Sequence, residues 1–305
     1  MEIKLAKYIA GFLADYGIRD CFLVTGGGAM HLDDAIGHEE RIHCTFNHHE
    51  QACAIAAEGY TRMTGKLAAV CVTSGPGGTN AMTGVMGGWL DSIPMFVVSG
   101  QVKRETTIWA CSDLNLRQLG DQEFNVIDSV RNMTKYAVMV TNPQEIAYHL
   151  EKALYLATDG RGGPVWLDIP LDVQGAKIET ESLIHFHPEQ EFTWGKPEVR
   201  PSAIALLTDW IRQAKAPLVL AGTGINLGGA REKLLRFLKK YQVSQNGISQ
   251  KQPLLLKFPW PLPEISPSGG SEFSRENSGK EISLGNCHRR PRSIWAEGYD
   301  RRLQA

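Results

Sequence analysis

At 305 residues, 43% apolar and 21% charged, the chain has the composition of an ordinary folded protein of about two domains. Its 32 basic and 33 acidic residues are scattered and leave a formal charge of -1, which excludes a basic nucleic-acid face and an acidic solvating tail. No segment reaches the roughly 20 apolar residues of a membrane span, so no membrane partner is expected and small-molecule chemistry is the default.

Ile3, Tyr8, Ile9, Phe12, Leu13 and Tyr16 recur at helical spacing among Lys4, Lys7 and Asp15, which predicts an amphipathic surface helix. That segment lacks the uninterrupted apolar core and cleavage site of a signal peptide. The six cysteines form no C-x-x-C pair, so buried free thiols in a cytoplasmic protein are expected.

From Asp20 onward, short apolar runs alternate with helical segments. "CFLVTGGG" reads as a buried strand running into a glycine turn, then a short helix through "AMHLDDAIG". "RIHCTF" is a second strand. "LAAVCVTSGPGG" repeats strand then turn, "TNAMTGVMGGWLDS" is the next helix, and "PMFVVSG" is another strand. This alternation predicts an α/β domain with a doubly wound parallel sheet, whose binding sites lie at the carboxyl ends of the strands. Residues 101–130 read as a polar loop with a short helix, a helix capped by Asn142 follows, and "GPVWLDIPLDV" is the last strand of the domain.

The assigned boundaries are 1–175 for this domain, 176–200 for a linker rich in Pro, Glu and His, and 201–241 for the start of a second α/β domain. Residues 242–305 show neither a period of 2 nor of 3.6 and carry proline, serine and glycine clusters. They are expected to be poorly ordered and not to continue a sheet.

Within "FNHHEQACAIAAEGYTRMTG", Asn47 suits an N-cap and Glu50 stands where it could reach back to it, so a capping box would open a helix that Gly65 closes. The small residues Ala52, Ala54, Ala56, Ala57 and Gly59 let another backbone or a flat ligand come close. Two other patterns fail here: Cys53 stands where a zinc-protease helix needs histidine, and Leu67 where a phosphate loop needs Ser or Thr. Gly26-x-Gly28 is not a dinucleotide fingerprint either, because no third glycine follows in place, which disfavours a nicotinamide-linked oxidoreductase. In Gly75-Pro76-Gly77-Gly78-Thr79-Asn80, the glycines admit a ligand, Pro76 stiffens the turn, and Thr79 or Asn80 can cap the following helix.

The motifs E-x-A-x-x-x-A-x-G-Y-x-R-x-T-G-K, T-S-G-P-G-x-T-N and D-S-I-P occur in this order, starting at Glu50. Together they resemble the pyrimidine-binding domain of thiamine-diphosphate enzymes and, within these, the acetolactate synthase large-subunit group. The resemblance covers about residues 1–175 and, more weakly, 201–241. It implies that Glu50 hydrogen-bonds N1' of the aminopyrimidine, favouring the imino tautomer that takes the proton from thiazolium C2. The ylid so formed attacks a 2-oxo acid, with the cofactor as electron sink. Glu50 then remains readable both as a cap and as a cofactor contact.

By the same resemblance, Gly75, Pro76, Gly77 and Asn80 shape the wall beside the pyrimidine, while Gly26, Gly27 and Gln101 face the reacting centre from the opposite subunit. His48 and His49 read as polar residues at a helix N-terminus, with a catalytic role the alternative. Asp121 before Gln122 departs from the phenylalanine usual in the group, so the 2-oxo acid stays open.

The family holds the diphosphate through Mg2+, on a G-D-G sequence and a later asparagine pair, and neither is found here. The expectation is therefore weak cofactor binding and negligible turnover by the chain alone, with the Mg2+ supplied by another domain; FAD occurs in the group but is not assignable. Either a reading-frame break near Tyr241 cut short a longer enzyme, or this is the pyrimidine subunit of a split enzyme. The break inside an incomplete domain favours the former. The expected partners are a second copy, a full-length relative or a diphosphate-domain chain, and a non-catalytic dimerising or regulatory role is the alternative.

Overall fold

A computed structural model describes residues 2–192, 199–214, 218–222, 224–240 and 254–256. After a short strand β1 (Glu2–Lys4) and helix α1 (Leu5–Tyr16), the chain enters the central sheet through β2 (Asp20–Leu23). There follow α2 (Met30–Gly37), β3 (His43–Phe46), α3 (Glu50–Thr64), β4 (Ala69–Val72), α4 (Pro76–Leu90) and β5 (Met95–Gln101). Two 3-10 segments lead to α5 (Val126–Val130), β6 (Tyr136–Met139), α6 (Ile146–Thr158), β7 (Pro164–Pro170), α7 (Leu171–Gly175) and β8 (Lys177–Glu179).

The six central strands are parallel in the order β3-β2-β4-β5-β7-β6. This is the doubly wound α/β architecture that the alternation of runs predicts. Every residue of β4, β5 and β7 is buried, as expected of strands covered on both faces. The pleat sorts them: Ala69 and Cys71 pack under α1, α2 and α6, while Val70 and Val72 face α3, α4 and α5. Each fully buried large side chain, such as Leu13, Phe96 or Trp166, contributes about 1.5–3 kcal/mol by leaving water.

Several elements differ from the sequence expectation. The buried stripe of α1 is Leu5, Ala6, Ile9, Ala10, Leu13 and Ala14, whereas Tyr16 faces solvent and Tyr8 stacks on Phe12 at the margin. Leu5, Ile9 and Leu13 with three alanines, not the aromatic residues, set its packing face, and the alanines let the helix lie close to its neighbours. Strand β6 had no sequence signal, being a half-buried edge strand without clean alternation. β1 pairs antiparallel with β8, Ile3 opposite Ile178, and joins the chain's start to the end of the domain. Three residues on each side are too few to show a period.

The linker is not featureless. A short helix α8 (Pro188–Glu191) returns to α6, where Glu191 pairs with Lys152 and His185 with Glu151. Beyond it lie α9 (Pro201–Gln213), β9 (Leu218–Ala221), α10 (Gly224–Leu227) and α11 (Arg231–Lys240). Leu254–Leu256 forms β10, so a strand does lie past 241, contrary to expectation; it pairs antiparallel with β9, Leu254 opposite Ala221 and Leu256 opposite Leu218, in a two-stranded sheet separate from the central one. The rest of 242–305 lies outside the described residues. Among those described, no helix is long and apolar enough to cross a membrane.

Candidate functional site

Strand order reverses between β2 and β4, so the loops leaving their carboxyl ends run in opposite directions and open a crevice. Gly26–Gly28 lines one side and Thr73–Gly75 the other. Gly28 N donates to Thr73 Oγ1 at 3.1 Å, and a Cβ on Gly26 would stand 2.5 Å from Thr73 Cβ. A Cβ on Gly77 would in turn lie 2.8 Å from Thr73 Cγ2. Thr73 is therefore a hub joining both glycine turns within one chain, although the resemblance puts them on different subunits. Thr73 heads the T-S-G-P-G-x-T-N motif, but nothing local in the chain shows that its side chain reaches the Gly26–Gly28 turn.

Asp33, on α2, steadies the first turn. Its Oδ2 accepts from Gly26 N at 3.1 Å and its Oδ1 from Cys71 Sγ at 3.6 Å, and burial pushes its carboxyl above the usual range. Gly27 between the fixed glycines is exposed and has nothing within 4 Å of an added Cβ.

Glu50 begins α3 as its first residue. The expected capping box is not formed: His49 is the N-cap, its Nδ1 accepting from Gln51 N at 3.1 Å, and Asn47 donates instead to Cys53 Sγ. The chain turns into the helix two residues later than the box requires, which frees the Glu50 carboxylate. His48 and His49 are both exposed. Gly65, left-handed at φ 70°, closes the helix as expected.

The carboxylate of Glu50, 9% exposed, is oriented by one bond: Asn80 Nδ2 on α4 donates to Oε2 at 2.9 Å. No hydrogen bond to Oε1 is formed among the described residues, and an added Cβ on Gly77 would lie 3.6 Å from it. Asn80 does not cap α4, and Thr79 Oγ1 donates back to Pro76 O; the cap position is Gly75, with no side-chain bond, and Pro76 is the first helical residue. Proline there needs no N–H partner, so the turn can start without a capping side chain.

Gly75 has φ 56° and ψ -116°, and a Cβ on it would collide with Gln122 O. Gln122 is itself in the left-handed region at φ 56°. The 119–124 segment that rests on this turn is organised by Glu123, whose carboxylate accepts from Ile108 N, Leu119 N and Gly120 N.

Gln101 ends β5 and is buried. Its Nε2 donates to Asp168 Oδ2 at 3.0 Å and Phe124 O at 2.9 Å, and its Oε1 accepts from Val102 N at 3.0 Å. The structure thus gathers Gly26, Gly75, Gly77, Glu50 and Asn80 around Thr73, while both amide atoms of Gln101 are engaged inside the chain. Asp168, which the motifs did not flag, is 1% exposed and also accepts from Ser99 Oγ at 2.6 Å. Burial raises its carboxyl to about 7 against the opposing pull of those hydrogen bonds.

Whether the residues fit a thiamine cofactor turns on Glu50 and Gly77. A shielded carboxylate with one oxygen held and the other facing a residue without a side chain leaves room for a flat ring to bring a nitrogen to Oε1. The residues fit the group.

A doubly wound sheet with glycine turns at its switch point and a shielded glutamate beside them is the arrangement of a thiamine-binding domain. Residues 3–142 match the family described as thiamine pyrophosphate enzyme, N-terminal TPP binding domain, and that part of the chain belongs to it. The chain is similar to the acetolactate synthase large subunit of Lactococcus lactis, 34% identical over 254 residues, covering 79% of this chain and 41% of that one. It is 33% identical over 240 residues to the probable acetolactate synthase large subunit of Methanocaldococcus jannaschii, covering 77% and 38%. Against the Haemophilus influenzae acetolactate synthase large subunit it is 33% identical over 246 residues, covering 78% and 40%. The chain spans about two fifths of the length of the curated relatives it matches.

Proposed function

We propose that this chain supplies the aminopyrimidine-binding side of a thiamine-diphosphate-dependent 2-oxo acid decarboxylase or carboligase of the acetolactate synthase type. The observation that carries this is the Glu50 carboxylate, shielded, held through Oε2 by Asn80 and open at Oε1 beside Gly77. When bound, the cofactor supplies the electron sink for cleavage next to a carbonyl. Glu50 would hold a proton at Oε1 and share it with a ring nitrogen; a poorly solvated position favours such sharing. Asn80 fixes which carboxylate oxygen is free, Gly77 and Gly75 let the ring approach the backbone, and Gly26 and Gly27 bound the crevice opposite.

The diphosphate and its Mg2+ would be held elsewhere: among the described residues, no group of three His, Cys, Asp or Glu could hold a metal ion. The partner of this chain in the complete site would be another copy, an intact relative or a diphosphate-domain chain. A second reading is a pyrimidine-domain subunit or a non-catalytic dimerising fragment.

Calorimetric titration of thiamine diphosphate with Mg2+ tests both readings, on the full chain alone and mixed with an intact acetolactate synthase large subunit. Binding in either sample that Glu50→Gln abolishes supports the proposal. Equal binding by Glu50→Gln overturns it, and stable association without binding favours the non-catalytic reading.

A further inference from the structure

The Asp168 carboxyl lies on β7 with no ion pair among the described residues, and burying an ionisable group without one costs several kcal/mol unless hydrogen bonds offset it. A cost of that kind calls for a reason. The two donors it receives are not equivalent. Ser99 Oγ, which itself accepts from Trp166 Nε1 at 2.7 Å, ties Asp168 to the core of the sheet. Gln101 Nε2 ties it to the crevice.

An amide at Gln101 can point either way. With Asp168 accepting at Oδ2, Nε2 must face inward, so Oε1 receives Val102 N and the second Nε2 proton reaches Phe124 O. The reverse orientation would set Oε1 against both the carboxyl and the Phe124 carbonyl, acceptor against acceptor. Phe124 closes the segment whose Gln122 carbonyl rests on Gly75. A line of contacts therefore runs from Asp168 through Gln101 and Phe124 to the turn that precedes Pro76 and Gly77.

We infer that Asp168 is a positioning residue: by fixing the amide of Gln101 it holds the 119–124 segment on the Gly75 turn and so sets the wall of the crevice next to Glu50. Ser99 and Trp166 anchor Asp168 but do not touch the segment. The link from that wall to cofactor affinity rests on the function proposed above; the link from Asp168 to the segment does not.

The test is hydrogen-deuterium exchange on the full chain for wild type, Asp168→Leu and Ser99→Ala, with thiamine diphosphate affinity measured in parallel under the best binding condition found. Leu at 168 is close to Asp in shape and offers Gln101 Nε2 no acceptor, so exchange across 119–124 should rise at least tenfold while α1 and α6 stay unchanged. Ser99→Ala should leave that segment as it was, since the Gln101 bond survives. Affinity should fall at least fivefold in Asp168→Leu.

Unchanged exchange at 119–124 in Asp168→Leu overturns the inference, and so does an equal rise in Ser99→Ala or a uniform rise across the sheet, the mark of a merely structural network. Absence of binding by wild type would speak against the proposed function, leaving the exchange result to decide here. Should Asp168→Leu not fold, wild type decides by NMR. The Gln101 side-chain amide and the Gly120 backbone amide must then shift with one common midpoint between pH 5 and 9, and independent behaviour sinks the idea.

Discussion

Asn80 and Glu50, thirty positions apart and on different helices, meet through one hydrogen bond of 2.9 Å from Asn80 Nδ2 to Glu50 Oε2. That bond decides which carboxylate oxygen stays open toward Gly77. Removing the donor with Asn80→Ala leaves a shielded oxygen without its partner and should cost about 1–2 kcal/mol. Thermal unfolding should show a drop of roughly 2–4 °C per kcal/mol for a domain of this size. Glu50→Gln should instead keep the melting temperature, because the Asn80 amide can turn and accept from the new one, yet lose the proton-sharing group. A Glu50→Gln protein that melts several degrees lower would show that the carboxylate matters mainly to the fold.

Helices α3 and α4 cross on small residues, so a glycine at the crossing and one on the open face of α3 should respond in opposite senses. A Cβ on Gly84 would stand 2.5 Å from Ala54 Cβ, so Gly84→Ala must push the helices apart, at a cost of about 1–3 kcal/mol. Gly59 of α3 has nothing within 4 Å, so Gly59→Ala should stabilise by roughly 0.5–1 kcal/mol through helix propensity alone. Urea denaturation of the two variants checks the pair; equal effects would contradict the close crossing.

Gly75 combines φ 56° with a neighbour, the Gln122 carbonyl, that a Cβ would strike. Gly75→Ala should therefore cost about 1–3 kcal/mol in backbone strain and also lift the 119–124 segment. Faster amide exchange there, beyond what the melting temperature accounts for, is the expected signature. An exchange pattern like wild type would mean that the turn adapts without disturbing its neighbour.

The Asp168 carboxyl, raised to about 7 by burial, makes stability depend on pH in a defined direction. The folded protein holds this proton more tightly than the unfolded chain, whose aspartates titrate near 3.9. Its contribution is full below about pH 4 and is lost as pH rises through 7, after which it stays flat. The groups facing Asp168 are Ser99 and Gln101 of β5 and, through Ser99, the Trp166 indole, none of them charged. Each tenfold change in proton affinity corresponds to about 1.4 kcal/mol, so the loss should reach a few kcal/mol and vanish in Asp168→Asn. Urea midpoints from pH 4.5 to 8 for the two proteins measure it; parallel curves would place the carboxyl at its ordinary value in the fold.

Much of the domain can be read along the chain. The alternation of apolar runs with helical segments yields the parallel sheet, because strand and helix periods are local properties of a few neighbouring residues. Gly65 as a helix stop and Asn142 as the cap of the 3-10 turn Pro143–Glu145 that leads into α6 are legible for the same reason. Glu50 stands out only through the order of the motifs around it. The capping box was a fair local expectation, yet the helix begins at Glu50 with His49 as cap, since the carboxylate finds its partner on α4 and not in its own turn.

What the sequence by itself determined about this protein is its architecture, its glycine turns and its membership in a family. Only the tertiary structure decided which atoms meet. Asn80 with Glu50, Thr73 between the two glycine turns, and Asp168 with Ser99 and Gln101 join positions 30 to 69 apart. Hydrogen bonds between residues so far apart leave no periodic trace in the chain: they exist because the strand order and the helices packed on the sheet bring distant segments side by side, where buried polar groups must find partners or stay costly.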